Sequence, residues 1–159
     1  MTSILRPAIA IALALALAPC AFASQAIAHQ YVALQALANA PEPVRTICTN
    51  NLDAYLAGST GPDIALTTYL VAEFFEVTHP GAEAHYDRTG LLIMNMLSEA
   101  QKLPDPAQRD AGIAFALGWL THYCTDVKIH ALVNQFGGYY SAGHDFQVRH
   151  KHLESVECE

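Results

Sequence analysis

The stretch of sequence that decides the fold is DPAQRDAGIAFALGWLTHYCTDVKIHALVNQFGG, residues 105–138. It opens with Asp105, a residue type that caps helices, followed by Pro106, which fits the first helical position. We predict one long helix from Pro106 to about Val133, ended by the Gly-Gly pair that follows. Residues 113–120 are apolar on nearly every side, which predicts that this part of the helix is buried.

The rest of the chain also has apolar residues at helical spacing. Further helices are predicted over residues 28–38, 84–102 and 144–156, and from Pro43 to Tyr55 or Leu56 with Gly58 as a stop. We predict a turn over residues 58–63, where Gly, Ser, Thr, Gly, Pro and Asp follow one another. Residues 64–77 contain strand-forming side chains, but no partner strand is found, so we favour a helix plus a loop. The sequence therefore predicts an all-α helical bundle with a single domain.

The composition of the 159 residues excludes several classes of protein. With 52% hydrophobic and 14% charged residues, the chain is too apolar for a disordered protein. Its 15 acidic and 8 basic residues give a net charge of −7, which argues against extended nucleic-acid binding through a basic face. The 8 histidines equal the number of Lys and Arg together, which directs attention to metal binding. No cysteine pair has CxxC spacing, and Cys124 is predicted to be a small core residue.

The N-terminus has the pattern of an export signal over residues 1–23. A run of Ile, Leu and Ala is long enough for a signal core and too short to span a bilayer, and small residues precede Ser24. We predict cleavage before Ser24, which leaves one domain over residues 24–159 in the periplasm or outside the cell. Cleavage before His29 is an alternative, because residues 26–28 also carry small side chains at the positions that a signal peptidase inspects.

Histidines and carboxylates recur at helical spacing. His122, Asp126 and His130 are four residues apart and drift by only about 80° around a helix, so one face carries all three. His150 and Glu154 repeat the spacing on the last predicted helix, and facing helices build metal sites from such pairs. Each pair alone is typical of a weak surface ion pair, but a buried His–Asp–His stripe without a cation would be costly. Imidazole with carboxylate suits Zn²⁺, and less specifically Mn²⁺ or Fe.

The segment FALGWLTHYCTD, residues 115–126, with His130 after it, resembles the signature helix of the zinc-dependent phospholipase C family. That family includes the catalytic domain of glycosylphosphatidylinositol-specific phospholipase D, and fungal single-strand nucleases share its all-helical trinuclear zinc fold. Weaker similarities follow in the same order as in the family: His29 with residues 32–37, residues 54–58 running to a Pro62-Asp63 turn, His85-Tyr86, and the pair His150 and Glu154. Because the chain ends five residues after Glu154, we expect a shortened version of the fold.

The resemblance implies up to three zinc ions, each with its own ligand set. The first set is Asp63, His85, His122 and Asp126; the second is His130, His150 and Glu154; the third is His29, Asp126 and the N-terminal residue Ser24. Family members have Trp where Ser24 stands. His79 is a rival for His85, but it precedes a proline in a predicted loop, so we prefer His85.

The resemblance further implies an exported phosphodiester hydrolase, acting like phospholipase C on a phospholipid head group and contacting the membrane peripherally. Zinc ions would activate water and supply the positive field that an acidic chain lacks, and Asp63 is the predicted catalytic residue that orients or deprotonates this water. A phospholipase D cut and a nuclease activity are variants of this chemistry. The alternative is a non-catalytic metal-binding helical protein with an incomplete substrate cleft. A third reading is a helical bundle whose histidines are incidental.

Overall fold

The structure is a computed structural model and is described here for residues 26–66, 85, 88–139 and 142–156. These ranges contain six helices and no strand, so the all-α prediction is confirmed. The helices are α1 over residues 26–38, α2 Val44–Asn50, α3 Leu52–Leu66, α4 Thr89–Gln101, α5 Pro106–Gly137 and α6 His144–Val156. None of the described helices is both long and apolar enough to cross a membrane.

Helix α5 is the axis on which the other helices pack. Helix α3 makes the most extensive contact with it, and α2, α4 and α6 pack on it as well. The predicted start is confirmed, since the Asp105 carboxylate accepts a hydrogen bond of 2.9 Å from the Ala107 N–H. The helix ends at Gly137, slightly later than predicted, because Gly138 has a φ of 83° that does not continue a helix.

Helix α3 shows that the predicted turn over residues 58–63 is wrong. The helix runs through this segment, and Gly58 packs against α5 instead of ending the helix. A Cβ on Gly58 would overlap the Phe115 carbonyl oxygen, and a Cβ on Gly118 would overlap the Tyr55 carbonyl oxygen. The two glycines therefore allow a close crossing of two helix backbones, a role that requires the missing side chain.

The boundaries of two other helices also differ from prediction. The expected helix from Pro43 to Tyr55 or Leu56 is divided at Asn51, whose φ of −127° and ψ of 45° interrupt it. The helix predicted over residues 84–102 is interrupted at Arg88, which has a left-handed φ of 56°, and α4 begins at Thr89. Helix α6 has the predicted bounds. Most of the segment predicted as helix plus loop, residues 67–77, lies outside the described residues.

The buried apolar cluster is small and joins α1, α2, α3 and α5. It consists of Ala33, Leu37, Cys48, Tyr55 and Ala114. In the apolar segment of α5, residues 113–119 are buried or half-buried as predicted, and Leu120 at its end is exposed. Cys124 is exposed, so the prediction that it is a small core residue is wrong.

Candidate metal centre

Helices α1, α3 and α5 bring polar side chains together at one point. His29 comes from α1, Asp63 from α3, and His122 and Asp126 lie one turn apart on α5; His85, which precedes α4, completes the group. The close crossing at Gly58 and Gly118 sets the register that brings Asp63 to α5. His122 is only 2% exposed, so the group lies against the protein interior.

Each of the two carboxylates faces histidines on both of its oxygens. Asp63 places Oδ1 3.3 Å from His85 Nε2 and Oδ2 3.6 Å from His29 Nε2. Asp126 places Oδ2 3.2 Å from His122 Nε2 and Oδ1 3.4 Å from His29 Nε2. Each carboxylate therefore bridges His29 to His85 or His122.

These ligand atoms form two overlapping groups, each small enough to hold one ion. One group is His29, Asp63 and His122, and the other is His85, His122 and Asp126; within each group the ligand atoms lie within 4.8 Å of one another. The first group was not predicted, because the sequence assigned His29 and Asp63 to different ions. Which ion each residue binds stays a prediction.

The donor set fits a cation. The Nε2 atoms of His85 and His122 are 3.2 Å apart, and the His29 and His122 rings stack with centroids 3.8 Å apart. In the part of the chain that the structure describes, Asp63 and Asp126 form ion pairs with histidines only. The buried Asp63 Oδ2 and His29 Nδ1 have no hydrogen-bond partner among the described residues, and such atoms cost about 1–3 kcal/mol when left unpaired. A metal ion among these groups would satisfy Asp63 Oδ2, whereas His29 faces both carboxylates with Nε2 and not with Nδ1.

The orientation of His122 is determined by the backbone of α3. Its Nδ1 lies 2.9 Å from the Ser59 carbonyl oxygen, and a carbonyl only accepts, so Nδ1 donates. Nε2 then either carries a second proton, which it donates to Asp126, or presents a lone pair to a cation. Such outer hydrogen bonds orient metal-binding histidines. The sequence held no sign of this contact, because it is made by a main-chain atom.

The electrostatics at His29 and Asp126 favour the deprotonated states that bind metal. Burial lowers the pKa of His29, and the neighbouring His122 lowers it further; the attraction of Asp126 and Asp63 does not offset this. Burial acts to raise the pKa of Asp126, but the hydrogen bond from His122 and the charges of the nearby histidines outweigh it and lower that pKa. Neutral imidazole and ionised carboxylate are the forms that ligate zinc.

A second pair of predicted ligands meets where α5 and α6 pack together. The rings of His130 and His150 have centroids 5.3 Å apart, and His150 is buried with Nδ1 3.4 Å from the Gly138 carbonyl oxygen. Glu154 follows His150 by one turn on α6, but its side chain lies outside the described residues, as do Ser24 and His79. The structure thus brings together the first predicted set, the two histidines of the second, and His29 with Asp126 of the third.

An open cleft of about 180 Å³ runs along this face of α5. His85, His122, Asp126 and His130 line it, so it connects the five-residue group with the second pair. Its other lining residues are Pro62, Thr89, Tyr123 and Val127. Tyr123 and Val127 were not predicted from the sequence. Each directly follows a predicted ligand, His122 or Asp126, so helical spacing could have placed them beside that face of α5.

The family follows from a comparison of the chain with family models. The model of zinc-dependent phospholipase C matches residues 23–154. The chain belongs to the zinc-dependent phospholipase C family. Comparisons with curated proteins and with solved structures each give no significant match.

Membership of the zinc-dependent phospholipase C family agrees with both the fold and the donor set. The family is zinc-dependent by description, and the His and Asp groups around His122 are suited to hold such an ion. A phospholipase C family also implies a substrate of the phospholipid type. The resemblance carried by residues 115–126 is therefore confirmed.

Proposed function

We propose that this protein is an exported phosphodiester hydrolase that acts like phospholipase C on phospholipid head groups. It would hold up to three zinc ions and begin at Ser24 after signal cleavage. Family membership supports the reaction class. The observation that carries the proposal is the arrangement of Asp63 and Asp126, each facing His29 with one oxygen and His85 or His122 with the other. Of these residues, His85, His122 and Asp126 line the cleft.

The predicted ligands would hold the ions in three neighbouring places. Asp63, His85, His122 and Asp126 would hold one ion, and His29 and Asp126 with Ser24 would hold a second. The third lies at His130 and His150, with Glu154. When bound, zinc acts as a Lewis acid that lowers the pKa of water and neutralises phosphate charge.

The residues of the chain then have separate tasks around the cleft. We assign to Asp63 the task of positioning the attacking water and receiving its proton, because its Oδ1 lies 3.3 Å from Nε2 of His85, a residue that lines the cleft. His122 is kept in one tautomer by the Ser59 carbonyl, so the donor set needs little reorganisation. Tyr123 and the exposed Val127 form an apolar wall beside the head-group position, facing the side from which a lipid would enter.

The size and charge of the cleft agree with a phosphate head group as the part that binds. A cleft of about 180 Å³ is smaller than the 300–1,000 Å³ typical of pockets that enclose a drug-sized ligand. The cleft would admit a head group and leave the acyl chains in the membrane. The protein would therefore contact the bilayer only peripherally. No Lys or Arg is among the described residues that line it, so positive charge for the phosphate must come from bound metal.

The test measures metal content and turnover on the same preparation of the mature protein. Zinc is removed with a chelator and restored, and hydrolysis of a chromogenic phosphocholine ester and of phosphatidylcholine vesicles is followed. We expect turnover to require zinc and to be abolished by Asp63→Asn. His144→Gln is the matched control, because His144 has an 85% exposed side chain at the start of α6. Zinc binding without turnover on any phosphodiester would instead support the non-catalytic metal-binding protein.

Export is tested separately on the full-length chain. The protein is expressed in a bacterial host with its own N-terminus, and the periplasmic and medium fractions are analysed by mass spectrometry. We expect a mature form that begins at Ser24. A form that begins at His29 would favour the alternative cleavage site, and an uncleaved cytosolic chain would contradict export.

A further inference from the structure

The hydroxyl group of Tyr55 joins three helices in the interior. Tyr55 lies on α3 and is only 4% exposed. Its Oη lies 3.0 Å from the Ala33 carbonyl oxygen on α1 and 3.1 Å from Thr121 Oγ1 on α5. A carbonyl oxygen only accepts, so the Tyr55 proton is donated to Ala33. The Thr121 hydroxyl has one proton, for which Tyr55 Oη competes with the Leu117 carbonyl oxygen 3.0 Å away.

Each of the three helices carries a side chain of the candidate metal centre close to this junction. Ala33 follows His29 by four residues, which is one turn of α1. Thr121 directly precedes His122 on α5. Asp63 lies two turns beyond Tyr55 on α3. The hydroxyl therefore links, within one or two turns, the backbones that place His29, His122 and Asp63.

Helix α1 depends on this contact more than the other two helices do. Among hydrogen bonds between described residues, the bond from Tyr55 is the only side-chain hydrogen bond that connects α1 to another helix. Apart from the ion pairs and ring stacking of His29 itself, its remaining contacts with the core come from apolar residues such as Ala33 and Leu37. Apolar packing is non-directional and permits a helix to shift or rotate slightly, whereas a hydrogen bond to a single carbonyl determines its register.

We propose that Tyr55 is a positioning residue that holds His29 against Asp63 and Asp126 through the Ala33 carbonyl. This role rests on the proposed metal centre. The Tyr55 hydroxyl raises the zinc affinity of the group that contains His29. It leaves the zinc affinity of the group built on His85 unchanged, because His85 does not lie on α1.

The test is Tyr55→Phe in the mature protein, which keeps the buried ring and removes only the hydroxyl. Zinc is titrated against a competing chelator so that each bound equivalent is resolved. We expect one equivalent to weaken by about tenfold, the lower end of the range for outer hydrogen-bond partners, and the others to remain unchanged. Tyr31→Phe is the control, because Tyr31 lies on the same helix α1 and is 63% exposed.

A second background separates positioning from general stabilisation. If Tyr55 acts through His29, then Tyr55→Phe causes no further loss of zinc affinity in a His29→Gln protein, although it still lowers Tm there. If Tyr55→Phe does not fold, Thr121→Val provides a test, because it removes the α5 partner of Tyr55 Oη and keeps the bond to Ala33. That variant should leave the same zinc equivalent unchanged, and a loss of about tenfold there would contradict a role through Ala33.

The outcomes distinguish this proposal from the proposed function. Equal weakening of all zinc equivalents, or no weakening while Tm falls, would show that Tyr55 only stabilises the fold and would overturn the positioning role. If the wild-type protein binds zinc normally and Tyr55→Phe matches it, only this role fails. If the wild-type protein binds no zinc, the metal centre itself fails, and the role of Tyr55 fails with it.

Discussion

The contact between α3 and α5 leads to a sharp prediction for Gly118→Ala. The new Cβ would overlap the Tyr55 carbonyl oxygen and lie 2.9 Å from the Ser59 nitrogen and 3.0 Å from the Tyr55 carbonyl carbon. Carbon atoms pack best at about 3.5–4.0 Å, so the two helices must separate by at least about 0.5 Å. All three neighbouring atoms belong to the backbone, and no side chain can rotate away to relieve the overlap.

The expected magnitude follows from two opposing effects. Overpacking a tight interior costs about 1–3 kcal/mol, and a clash between backbones belongs at the upper end of that range. Replacing Gly by Ala inside a helix returns about 1 kcal/mol of helix propensity. We therefore expect Gly118→Ala to lower the free energy of unfolding by about 2 kcal/mol, equivalent to a fall in Tm of about 4–8 °C.

The assay is thermal and urea unfolding of the metal-free protein, followed by circular dichroism. Gly90→Ala is the matched control, because Gly90 lies in α4 and a Cβ there would meet no described atom within 4 Å beyond its own helix backbone and chain neighbours. The same substitution should leave stability unchanged there or raise it by up to about 1 kcal/mol. If Gly118→Ala were as stable as the wild type, or if both variants lost stability equally, the close helix crossing would be refuted.

Three further predictions concern the cap of α5, bound metal and pH. Asp105→Ala should reduce the free energy of unfolding by about 1 kcal/mol, because the Ala107 N–H loses its acceptor; an unchanged urea midpoint would contradict the cap. Removal of zinc should lower Tm, since an ion that binds only the folded state stabilises it, whereas incidental histidines predict no change. The metal-free protein should lose stability as the pH falls through about 6.5, because the unfolded chain accepts a proton on His29 more readily than the folded chain does. His29→Gln should reduce this pH dependence, measured by urea unfolding at several pH values. If the free energy of unfolding varied with pH as steeply as in the wild type, His29 would not be the group responsible.

Local signals in the sequence were sufficient for α5 and α6 but not for α3. The start at Asp105 is a property of a few adjacent residues, so it could be predicted without knowledge of the fold. A glycine such as Gly58 has two meanings, a turn or a close approach, and only its neighbour across the interface decides between them. Here that neighbour is the Phe115 backbone, more than 50 positions away, so the turn was predicted in error.

In the candidate site, too, local spacing predicts some residues, whereas others depend on how the helices pack. His122 and Asp126 follow from helical spacing on one element, and the family resemblance added His29, Asp63 and His85. The proximity of His29 to Asp63 depends on how α1 and α3 pack, and spacing along the chain carries no information on that distance. The role of the Ser59 carbonyl has no side-chain signal at all.

The uninterrupted course of α5 restricts how this segment can vary in length. His122, Asp126 and His130 lie on one rigid rod, and the eight positions from His122 to His130 correspond to about 12 Å along its axis. Deleting or inserting one residue between them would turn His130 by about 100° and shift it by about 1.5 Å, which removes it from the cleft. Substitutions between these residues change the cleft wall one side chain at a time. A single insertion or deletion would instead remove His130 from the face that carries His122 and Asp126.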